Sequence, residues 1–126
     1  MAESSISKSL KDLKDCINNF TELPSGVRCR IGDTPGRTKG IGIKIQNVSS
    51  SQNICGSSNN TIIVNINYQE PAQTDNDKLG VIDMLSGLIN WIENSLNNVN
   101  VAKFPMMSDR AQSGIDLYNM QIRMFC

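Results

Sequence analysis

A chain of 126 residues with twelve basic and twelve acidic side chains, 39% apolar content and no histidine has the length of one domain and no net charge. At this size a chain buries roughly two-thirds of its extended surface on folding. The zero balance argues against a dedicated duplex-binding protein, whose affinity comes from many Lys and Arg contacts to phosphate, and the missing His removes the commonest general base and metal ligand.

Ile6, Leu10, Leu13, Ile17 and Phe20 recur at steps of four, three, four and three, which predicts a helix with one apolar stripe. Lys8, Lys11, Asp12, Lys14 and Asp15 occupy the rest of it, Ser4 or Ser5 can cap its start, and Leu23-Pro24-Ser25-Gly26 ends it. Val27 to Ile31 alternates with period two and predicts a strand with Arg28 and Arg30 turned from the core. The turn-rich stretch GDTPGRTKG leads to a second strand, Gly40 to Ile45, whose three isoleucines share a face. Residues 47–60, NVSSSQNICGSSNN, then predict a long polar loop. Connections in compact domains usually run about 4–6 residues, and longer ones tend to be functional or disordered.

Thr61 to Tyr68 is the clearest strand, with Ile62, Val64, Ile66 and Tyr68 on one face and Asn65 and Asn67 on the other. Pro71 closes it. Thr74 and Asp77 have capping-box spacing and open a second helix, with Leu79, Ile82, Leu85, Leu88 or Ile89, Ile92 and Leu96 as its inner positions, until Asn97-Asn98. Trp91 falls at the edge of that stripe, as a core residue or an interface anchor. Val99 to Phe104 predicts a short strand. The last strand, Ile115 to Cys126, sets Tyr118, Met120, Ile122, Met124 and Cys126 against Asn119, Gln121 and Arg123. The elements predict an α+β fold: two helices packed on a mainly antiparallel sheet of about five strands, in the order α-β-β-β-α-β-β, as one domain over residues 1–126.

Cys16, Cys29, Cys55 and Cys126 include no C-x-x-C pair, so zinc and thioredoxin-like chemistry have no local support. The first twelve residues lack an apolar secretion signal and no apolar run approaches the ~20 residues of a membrane span, so the reading is a soluble protein with free thiols in a reducing compartment. The glycine-rich GDTPGRTKGIG matches neither the P-loop spacing nor the dinucleotide fingerprint, and turn chemistry accounts for it. The carboxylates are scattered, and Ser and Cys nucleophiles have no His partner. Methionines near the C-terminus read as core filler before a soft-metal site. The expectation is a protein that is not an enzyme, with no cofactor and no metal.

One charge pattern stands out. Residues 28–44 hold five basic residues (Arg28, Arg30, Arg37, Lys39, Lys44) and one acid, Asp33, a balance of +4. Residues 45–102 hold five acids (Glu70, Asp75, Asp77, Asp83, Glu93) and one base, Lys78, a balance of −4. Besides two ordinary solvated faces, this fits a molecule whose sides attract each other, and a head-to-tail contact of that kind closes into a ring when the rotation permits.

With its elements in this order, the chain resembles the phage tail terminators of the minor capsid protein type found in phages of Gram-positive bacteria. The resemblance covers most of the chain and is carried by SISKSLKDLKDCINNF, GIGIKIQ, the long loop, TIIVNINYQEPAQTDNDKLGVIDMLSGLINWI and IDLYNMQIRMFC. It implies a virion protein that forms a hexameric ring on the end of the tail tube, stops tube growth and docks the head-tail connector or neck proteins. In contractile tails the ring also meets the sheath, and DNA passes through its lumen without specific binding. The resemblance brings no catalytic residues. Candidate interface residues come from charge and loops: Arg28, Arg30, Arg37, Lys39, Lys44, Ile54, Cys55, Glu70, Asp75 and Asp77, with Ile54 and Cys55 as a small anchor when the loop orders in the ring. The alternatives are another neck protein, such as a head-completion or head-tail adaptor protein, and, more remotely, a small cytosolic enzyme.

Overall fold

The computed structural model describes residues 5–32, 39–52, 58–71, 75–107 and 115–125, apart from the side chains at 5, 50–52, 58–60 and 75. The elements are α1 (Ser5–Asn18), β1 (Cys29–Ile31), β2 (Gly40–Gln52), β3 (Ser58–Pro71), α2 (Asp75–Ser95), β4 (Val99–Met107) and β5 (Ile115–Phe125). The expected α+β order holds, two helices on one five-stranded sheet ordered β1-β2-β3-β5-β4. Only the β1–β2 pair is parallel; the other three pairings are antiparallel.

The period-two alternation of β3 and β5 divides the sheet into two faces. Ile62, Val64, Ile66 and Tyr68 of β3 and Tyr118, Met120, Ile122 and Met124 of β5 are all buried on the helix side, in register with one another. Leu13 and Ile17 of α1, Phe20 just beyond its end, and Val81, Leu85, Leu88, Ile89 and Ile92 of α2 close over them. Burying each large apolar side chain is worth about 1.5–3 kcal/mol, so this single layer between helices and sheet holds the fold. Helix α1 lies against β1 and α2 against β4, so the helices cover opposite ends of the sheet. Trp91 joins them: its Nε1–H donates to the Cys16 carbonyl at 2.9 Å, and its ring packs on Phe20 at 6.2 Å between centroids.

The passage from α1 to β1 is tied at both ends. The Cys29 N–H donates to Asn18 Oδ1 at 2.7 Å, anchoring the start of β1 to the end of α1. Between them Pro24 to Val27 forms a turn closed by the Val27 N–H to the Pro24 carbonyl at 3.1 Å. Its third residue, Gly26, has φ +81°, the left-handed conformation that a type II turn requires there and that glycine adopts without strain.

Several expectations are corrected. Most of the predicted loop at 47–60 is strand: β2 and β3 continue as a hairpin, Asn47↔Ile63 through Gln52↔Ser58, after a bulge between Ile45 and Asn47. Ladder hydrogen bonds belong to the backbone, so polar Ser and Asn side chains do not prevent pairing once the apolar half of the hairpin has set the register. Only 53–57 lie between the strands, outside the described residues. Ile31, expected inside, is 57% exposed, because it ends a three-residue edge strand. Ile45 and Val48 are exposed on the hairpin arm. Leu79 is exposed as well, and Val81 takes the inward place near the start of α2.

Candidate functional site

The candidate interface residues do not form one cluster. Arg28 and Arg30 are exposed at the β1 edge and Lys44 is exposed on the neighbouring β2. Asp77 is exposed on α2, as are Asp83 and Glu93. The backbone of Asp75 begins α2, while its side chain, and all of Arg37, Ile54 and Cys55, lie outside the described residues. Because α2 packs on β4, at the far end of the sheet from β1, the exposed bases Arg28, Arg30 and Lys44 and the exposed acids of α2 fall on opposite sides of the molecule.

Glu70 needs correction as an interface acid. It is only 3% exposed, and its Oε1 accepts from the Tyr68 hydroxyl at 3.1 Å and pairs with Lys39 Nζ at 3.2 Å. Its charge is therefore engaged within the chain, by a base from the very segment expected to attract a neighbour. Lys39, too, is committed internally. The physical reason is register: β3 carries Glu70 on the helix-side parity, two residues after Tyr68, where a carboxylate needs a partner close at hand.

Glu70 belongs to a buried polar group that the linear sequence conceals. Asp116, 5% exposed, is its register partner on β5, and Tyr68 stands opposite Tyr118, ring centroids 6.1 Å apart. Burial, reinforced by the charge of Glu70 and its hydrogen bond, pushes the Tyr68 hydroxyl well above its ordinary range. Burial and the nearby Asp116 and Glu70 charges raise Tyr118 from 10.0 to about 12. Both tyrosines thus stay neutral, Tyr68 as the donor to Glu70. Within this group the Tyr68–Tyr118 ring contact joins β3 to β5, and among the described residues no cluster of three metal-binding side chains adds to its two carboxylates. Cys16 and Cys29 are free and buried. Burial raises both thiols, Cys29 to about 12 despite the neighbouring Lys14, which leaves them poor nucleophiles.

The centre of the sheet face away from the helices is polar, while Ile63, Leu117 and the exposed Met106 and Phe125 share its parity. Asn119 Nδ2 donates to Asn67 Oδ1 at 2.7 Å, and Gln121 Nε2 to Asn65 Oδ1 at 2.7 Å and also to Gln46 Oε1. These amides link β2, β3 and β5 across their solvent side. Around them stand Arg30, opposite Gly42, Lys44, opposite Asn65, Lys103, opposite Gln121, and Arg123, opposite Ile63 and Asn100. Lys103 and Arg123 were not among the candidate residues; only the alignment of strands places them with the other two.

No known family model matches the chain, and no curated protein matches it significantly. No helix among the described residues is long and apolar enough to cross a membrane.

Proposed function

We propose that copies of this chain assemble head to tail into a ring that caps a phage tail tube, ends its polymerisation and offers a face to the head connector. One observation carries the reading: exposed bases at the β1–β2 end and exposed acids on α2, at the β4 end, give each copy two sides of opposite charge. Complementary sides steer like copies into one orientation and disfavour others. Each rotation places the next copy by the same operation, so the assembly closes or runs on as a filament. The observed order of helices and strands is the one expected from the sequence, and the proposed place of action is the virion, at the tail end by the neck.

The test is a polymerisation assay in which tail tube protein assembles with and without this chain. Shorter tubes carrying added density at one end support the proposal. Tubes of unchanged length with bare ends contradict it.

A further inference from the structure

We propose that the helix-free face of the sheet is a sequence-independent docking surface for the phosphate backbone of duplex nucleic acid. The inference goes beyond the ring, since it needs only this face. The five described strands contain four cations and two carboxylates, and the sheet separates them completely. Arg30, Lys44, Lys103 and Arg123 are exposed and share the solvent side by register, whereas Glu70 and Asp116 are buried on the helix-side parity. No described strand residue on the solvent side is acidic. The chain's zero net charge hides this face because the remaining described acids lie in the helices and the α1–β1 connection.

The centre of the face decides between a nucleic acid and an acidic protein. Protein interfaces concentrate apolar and aromatic side chains at their core and keep charge for the rim. Here the centre is the linked amides Asn65, Asn67, Asn119 and Gln121 on β3 and β5, with one cation on each of the three flanking strands, β1, β2 and β4, and Arg123 on β5 itself. A polar, basic surface of this kind is what nucleic-acid interfaces present. From β1 to β4 the cations span four inter-strand steps, about 19 Å at ~4.8 Å each. Duplex offers a charge every ~1.7 Å of its axis, so several phosphates fall within that reach. With four cations and no base-reading element the contact is weak and independent of sequence.

The experiment measures binding of a short, labelled, mixed-sequence DNA duplex by fluorescence anisotropy over a series of salt concentrations. The expected dissociation constant is about 1–100 µM, with a log–log salt slope near −3.6, about −0.9 for each phosphate neutralised. Lys103→Gln with Arg123→Gln should lower the slope's magnitude by about 1.8 and weaken binding at low salt at least tenfold. Arg123 lies on β5, inside the sheet and away from the flanks proposed to join neighbouring copies, so native mass in Arg123→Gln alone should equal wild type. A loss of assembly in wild type would then refute the ring alone. Absence of DNA binding at low salt, or binding that the double variant leaves intact, would overturn the inference. Displacement of the duplex by polyglutamate at equal charge concentration would also overturn it, in favour of an acidic protein partner.

Discussion

Gly80 shows how a single position can be read for stability. It lies exposed within α2, and a Cβ built there meets nothing within 4 Å. Replacing it with Ala removes backbone freedom from the unfolded chain without adding strain, so Gly80→Ala should stabilise by about 0.5–1 kcal/mol and raise Tm by about 2–5 °C. Thermal unfolding followed by circular dichroism checks this. Titratable residues supply a second prediction. Cys29 rises from 9.0 to about 12 in the fold and Tyr118 from 10.0 to about 12. Above pH ~9 the unfolded chain therefore loses protons that the folded chain keeps, which favours unfolding. Stability from these groups is intact below that pH and falls as pH rises towards 12. Urea midpoints measured between pH ~8 and ~11 should drop across the interval, and Cys29→Val should flatten the decline relative to wild type. The sequence alone did not disclose Glu70's position, because its partner Lys39 is thirty-one positions away and only pairing of β2 with β3 brings them together.

Among elements, the helix pair depends on Trp91. Trp91→Phe keeps a ring against Phe20 but leaves the Cys16 carbonyl without the indole donor, and should cost about 1 kcal/mol in urea unfolding. A variant as stable as wild type would show that the bond contributes nothing to joining the helices. Element identity was legible wherever periodicity was strong. The four-three spacing at the start of the chain and the alternation of β3 and β5 name residues that end up buried, such as Leu13, Ile17, Val64 and Ile122, with Ile6 and Leu10 half-buried beside them. The hairpin arm was not legible, because Ser and Asn signal loops locally while the ladder that overrides them is set by Ile41, Ile43, Ile62, Val64 and Ile66 further along the strands. The start of α2 was misread for a related reason. Leu79 has the right spacing, and whether the sheet reaches it depends on where the helix crosses β4, which no spacing encodes.

For the whole molecule, the linear charge blocks were visible in the sequence, but folding redistributes them. Lys39 and Glu70 neutralise each other inside the chain. Arg30 and Lys44 share the solvent face of the sheet with Lys103 and Arg123, yet lie at its β1–β2 end, where with Arg28 they form the basic flank opposite the acids of α2. The ring then depends on those two flanks alone. Its strength should fall with salt, since exposed charges more than ~10 Å apart are largely screened at 0.1 M. The most direct measurement is native mass across a concentration series for wild type, Arg28→Glu and Arg28→Glu combined with Asp83→Lys. The account predicts a closed oligomer for wild type, dissociation on the single reversal and recovery in the double. A wild-type chain that stays monomeric at the highest concentration, or an oligomer indifferent to both variants, would contradict it.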